Sequence, residues 1–123
     1  MIQTFSIRGR LPSLNEYINA ERTNRYKAAK LKRDLQERIG AEIRRSNLKQ
    51  VKVPVKLVYR FYEANRRRDK DNIAGVAHKF VQDSLVAEGI LEDDGWDYVE
   101  GFEDKFYLDK ENPRIEVELC TRR

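Results

Sequence analysis

The chain predicts a small α/β (α+β) fold, a single domain with a mixed sheet covered by two main helices in the order β-α-β-α-β-β. Three observations predict it. The length of 123 residues suits one buried core and is short for two ordinary domains, so residues 1–123 are read as one unit. Apolar residues recur with period two in some segments and every three or four positions in others. No internal repeat or low-complexity linker interrupts them.

Ile2 to Ile7 alternates apolar and polar residues as a half-buried strand does, and Gly9 with Pro12-Ser13 turns it into a loop. From about Arg22 to Arg45, Leu31, Leu35, Ile39 and Ile43 recur every four positions among many Lys and Arg, predicting a long amphipathic helix that Gly40 weakens without ending. Val53, Val55, Leu57, Tyr59 and Phe61 predict the second strand, with Pro54 suited to a strand edge or start. Ile73, Val76, Ala77, Phe80, Val81, Ser84 and Leu85 form one buried face of a second helix, which Gly89 stops. Trp96 to Leu108 is rich in aromatics, and Asn112-Pro113 separates it from Ile115, Val117 and Leu119; these read as two antiparallel strands. Strand order is not legible.

The charge is lopsided. Residues 1–70 carry 19 Lys+Arg against 7 Asp+Glu, net +12, whereas residues 71–123 carry 6 against 14, net −8. A basic part beside an acidic one can grip a polyanion and hold a cation at the junction; solvated faces of a highly charged small protein give the same count. Met1 to Arg10 lacks an apolar signal core and no window suits a membrane span, so a soluble, cytoplasmic protein is expected. Cys120 has no intrachain partner and sits among alternating apolar residues, which predicts a reduced, buried thiol.

The junction between the second strand and second helix reads Arg66-Arg67-Arg68-Asp69-Lys70-Asp71-Asn72. Two carboxylates in a basic run suit a hard divalent cation beside a phosphate backbone, because Mg2+ takes one or two carboxylates plus waters and phosphate oxygens. Arg66, Arg67, Arg68 and Lys70 would offset repulsion between acids and phosphates. The plainer role is helix capping, although capping needs only one of these acids. An EF-hand is excluded, since its Gly and final Glu would fall on Ala74 and Phe80. Glu92-Asp93-Asp94-Gly95 has turn composition, and Asp94 meets Asp69 and Asp71 only if the fold returns the chain across the sheet. Lys79 is either a phosphate contact or the partner of Asp83 four residues on. His78, the only histidine, has no metal-spaced partner, which excludes a zinc cage or histidine triad; it reads as structural or solvated. Asn15, Arg22, Arg25 and Lys27, with Tyr17 and Tyr26, would form a nucleic-acid grip, or the tyrosines pack in the core.

With these residues in view, the chain resembles the RusA family of Holliday junction resolvases over nearly its whole length. Leu11-Pro12-Ser13-Leu14-Asn15 is similar to the family's Pro-rich loop with its Asn, Arg68-Asp69-Lys70-Asp71-Asn72 to its Arg-Asp-x-Asp-Asn signature, and Asp93-Asp94 to its paired acids after the helix. The resemblance implies that Asp69, Asp71 and Asp94 bind Mg2+, with Asp93 nearby and Mn2+ as a substitute. It also implies a catalytic Lys79, a homodimer, and action on branched DNA in recombination and repair, in bacteria or their prophages. The family's lysine follows the Asp-Asn pair more closely; here about four residues intervene, moving the side chain about 6 Å along the helix. The expected function is Mg2+-dependent resolution of four-way junctions by paired nicks. Cleavage of other branched DNA and non-catalytic nucleic-acid binding are the alternatives.

Overall fold

The computed structural model describes residues 1–121. Its elements are β1 (Ile2–Arg8), α1 (Leu14–Thr23), α2 (Arg25–Arg45), β2 (Val55–Glu63), α3 (Lys70–Ala87), β3 (Val99–Leu108) and β4 (Arg114–Cys120). The expected mixed α/β architecture and element order are present, with one more helix than expected. Ser13-x-x-Glu16 starts α1: the Ser13 hydroxyl accepts a hydrogen bond from the Glu16 amide at 3.1 Å. Asn24 then separates α1 from the expected long helix, which begins at Arg25. Its backbone is extended (φ −159°), it caps the end of α1, and its side-chain oxygen accepts from the Tyr26 and Lys27 amides at the start of α2.

The four strands lie in the order β1-β4-β2-β3. β4 is antiparallel to both neighbours, and β2 is parallel to β3. A parallel pair needs a long crossover, which α3 supplies. β3 and β4 do run in opposite senses, as expected, but β2 lies between them. β2 begins at Val55 rather than Val53, which lies before Pro54 and is exposed.

Register explains the core. Ile7, Ile115, Phe61 and Phe106 form one row across the sheet, and Phe5, Val117, Tyr59 and Asp104 the next. Leu35, Ile39 and Ile43 of α2 and Ile73, Val76, Ala77, Phe80, Val81 and Leu85 of α3 join these rows in the core. Gly40 leaves room for the Arg44–Glu88 ion pair between α2 and the end of α3, since a Cβ there would meet the Glu88 carboxylate at 3.0 Å and the Arg44 guanidinium at 3.2 Å. Gly89 ends α3 with φ +77°, as its type suggests. The opposite face of the sheet carries ion pairs, including Arg60–Glu118 at 2.9 Å. Cys120 is on that polar face and only partly buried, because Leu119 takes the core position; this corrects the expectation of a buried thiol. Among the described residues no helix is long and apolar enough to cross a membrane.

Phe80 is fully buried and meets Tyr17 edge-on, ring centroids 5.3 Å apart, locking α1 to α3. Phe80→Ala is expected to destabilise the protein by about 3–5 kcal/mol, read in urea denaturation. A loss below about 1 kcal/mol would mean that α1 packing does not support the core.

Candidate active site

The site is built where β2 ends. Arg68 turns its guanidinium inward: Nε and Nη2 donate to the Glu63 carboxylate at 2.9–3.1 Å, and Nη1 donates to the Leu11 carbonyl at 2.7 Å. Its side chain is 11 % exposed and that of Glu63 12 %. One residue thus ties the end of β2, the start of α3 and the β1–α1 loop. The Arg68 guanidinium, expected from sequence beside phosphates, is thus engaged by a bidentate carboxylate and a carbonyl. It also explains how the Leu11–Asn15 segment comes to lie beside the Asp-Lys-Asp segment.

Asp69 is the N-cap residue of α3, yet its side chain makes no capping hydrogen bond. Asp71, in the first turn, accepts from the Asn72 amide at 3.0 Å. Both acids are exposed at the positive end of the helix dipole, which favours carboxylates there. They line an open cleft of about 970 Å3 together with Arg66 and Lys70 and with Phe106 and Tyr107 of β3. The Lys70 ammonium lies 5.4 Å from the Phe106 ring centroid. Arg67 is exposed, its amide bonded to the Asn65 side chain. The β3 lining was not foreseen from sequence, since only the parallel register, Phe61 against Phe106 and Tyr62 against Tyr107, brings it there.

Asp93 and Asp94 are elsewhere. The turn that carries them lies by the start of β2, held by Val51 N to Ile90 O at 2.8 Å and Val55 N to Tyr98 O at 3.0 Å. Asp69 and Asp71 lie at the other end of α3, whose 18 residues span about 27 Å. One chain therefore does not bring Asp94 to Asp69 and Asp71, and among the described residues no group of three His, Cys, Asp or Glu is arranged to hold a metal. The Asp69–Asp71 pair still fits a hard cation. It supplies two oxygen-donor side chains on an open cleft, of which Asp69 makes no capping bond.

Lys79 pairs with Asp83 at 3.6 Å, eight residues along α3 from Asp71 and so about 12 Å along its axis. His78 is structural: Nε2 lies 2.8 Å from Asp104, and the ring packs on Phe102 and Tyr59. Asn15, Arg22, Arg25 and Lys27 are exposed on α1 and the start of α2. The two tyrosines divide between their alternatives. Tyr17 packs on Phe80, and burial together with the nearby Glu21 raises its pKa, so the phenol stays protonated. Tyr26 is 84 % exposed beside Arg25 and Lys27. In comparisons with known proteins, no family model matches this chain and no curated protein matches it.

Proposed function

We propose that the protein is a Mg2+-dependent, structure-selective endodeoxyribonuclease that nicks four-way DNA junctions in pairs, acting in the cytoplasm as a homodimer, with Mn2+ as a substitute metal. The observation that carries this reading is the Asp69–Asp71 pair on an open cleft beside Arg66 and Lys70, with Asp69 at a cap position whose carboxylate does no capping. Asp69 and Asp71 would hold the ion. When bound, it supplies an activated water and neutralises charge at the scissile phosphate.

The chain's own groups do the rest. Arg66 and Lys70 bind phosphate beside the acids and lower the cost of bringing a polyanion to two carboxylates. Exposed Arg22, Arg25, Lys27 and Tyr26 extend the grip, the cations on phosphates and the ring by stacking, while Asn15 adds polar contacts. Lys79 is assigned to a flanking phosphate. Because one chain holds Asp94 in the turn beyond the far end of α3 from Asp71, this reading assigns Asp94, with Asp93, to the site of a second copy in a two-fold dimer. A four-way junction has approximate two-fold symmetry, so such a dimer supplies one site for each of two strands.

The test is cleavage of a labelled four-way junction beside linear duplex of the same sequence, with Mg2+ or EDTA. Paired, Mg2+-dependent nicks near the crossover are expected, with binding that weakens steeply as salt rises. Preferential cleavage of forks or flaps would move the substrate to other branched DNA. A junction bound but uncut with both Mg2+ and Mn2+ would overturn catalysis and leave a nucleic-acid-binding module.

A further inference from the structure

The sheet face away from the helices carries a row of side chains to which the reading above gives no role. Register places Arg114 of β4, Tyr62 of β2 and Tyr107 of β3 side by side. They form a ladder. The Arg114 guanidinium lies over the Tyr62 ring, 3.8 Å from its centroid, and Tyr62 stacks on Tyr107 with centroids 4.9 Å apart and planes 21° from parallel. Asp109 and Glu116 hold the guanidinium at 2.8 and 2.9 Å. The ladder ends at Tyr107 because β3 is the edge of the sheet, with only β2 paired to it among the described residues. Tyr107 is 42 % exposed, so the ring face turned away from Tyr62 meets solvent. A tyrosine pair across two strands is an ordinary way to stabilise a sheet, but that role needs no open ring face at the rim of a cleft. Tyr107 lines the cleft that holds Asp69 and Asp71. Its neighbour Phe106 lines it too, but that ring is stacked on Phe61 and approached by the Lys70 ammonium. Lys105, two residues before Tyr107 and on the same face of β3, adds a cation beside the open ring.

We propose that Tyr107 is a stacking platform for one unpaired nucleobase of DNA, which takes the next place on the Arg114–Tyr62–Tyr107 ladder while the adjoining backbone lies in the cleft. The choice of DNA as ligand rests on the function proposed above; the ladder itself does not. A ring with one face held and the other free suits any base, because every base has a π-face. The platform also gives a physical basis for preferring branched to linear DNA. In a continuous duplex a base must leave its stack and its pair to reach Tyr107, whereas an unpaired base at a branch reaches it at a smaller cost.

The test uses a duplex with one unpaired 2-aminopurine as a bulge, beside the fully paired duplex, in EDTA so that binding is read without cleavage. Wild type is expected to bind the bulged duplex about tenfold or more tighter than the paired one and to quench the probe, as a stacked ring does. An abasic bulge should lose that preference, a measurement that needs no variant. Tyr107→Phe keeps the ring and should behave as wild type. Tyr107→Ile keeps a strand-forming residue without a flat ring, and should bind both duplexes alike and leave the probe bright. Preference for the abasic bulge equal to that for the base would overturn the proposal, since shape alone would then be read. So would quenching and preference retained by Tyr107→Ile, or lost by Tyr107→Phe. The nuclease reading fails separately: a chain that quenches through Tyr107 yet cuts no junction keeps the base site and loses catalysis. One that cuts junctions while Tyr107→Ile binds like wild type keeps catalysis and loses the base site.

Discussion

Asp71→Asn is expected to lower Mg2+-dependent junction cleavage by at least about 10²-fold while the junction remains bound as well as, or better than, by wild type. The substitution keeps size and a side-chain oxygen that can accept from the Asn72 amide, so the start of α3 should stay folded. It removes one negative charge from the surface that faces phosphate, which favours binding as it removes a metal ligand. A cap-only role for Asp71 predicts unchanged cleavage, and that outcome would sink the metal assignment. The position of Asp94 permits a sharper measurement. A heterodimer of Asp71→Asn with Asp94→Asn contains one intact site if Asp94 serves the other copy, and should recover single-strand nicking that neither variant shows alone. If Asp94 served its own chain, both sites would stay defective and no nicking would return.

Replacing Arg68 by Ala should cost about 3 kcal/mol, a drop in Tm of roughly 10–15 °C by calorimetry. Arg68→Ala leaves the Glu63 carboxylate, 12 % exposed, without its bidentate partner, and leaves the Leu11 carbonyl without its donor. Arg68→Lys should recover little, because a single ammonium does not reproduce the fork that meets both groups. Glu63→Gln combined with Arg68→Ala should cost less than the sum of the single changes, since the stranded charge is removed with its partner. A fall in Tm of less than about 3 °C for Arg68→Ala would show that the tie adds little to folding. Loss of junction binding without loss of stability would return Arg68 to the DNA surface.

The segments that were legible are those whose burial period is set locally. α3 reads correctly from Ile73, Val76, Phe80 and Leu85 because each turn of one helix faces one core, and Gly89 marks its end by the sign of its φ. α1 was missed although Ser13-x-x-Glu16 was available, because none of its residues is fully buried and no apolar stripe advertises it. The Arg68–Glu63 tie was not legible because a basic run looks alike whether its fork meets a phosphate or a glutamate from a strand end. Cys120 alternates with core residues in sequence, and its neighbour Leu119, not Cys120, takes the inward phase.

The amino-acid sequence by itself determined the mixed α/β class, the phase of β1, β2, β4 and α3, and the grouping of Asp69 and Asp71 with basic neighbours at a helix start. These depend on residues within a few positions of one another, so periodicity and capping chemistry carry them. Only the tertiary structure decided that β2 pairs in parallel with β3, that Phe106 and Tyr107 line the cleft, and that Asp94 lies at the far end of α3 from Asp71. Those relations join residues separated by 20 to 50 positions, and they are set by which strands share hydrogen bonds rather than by any local preference.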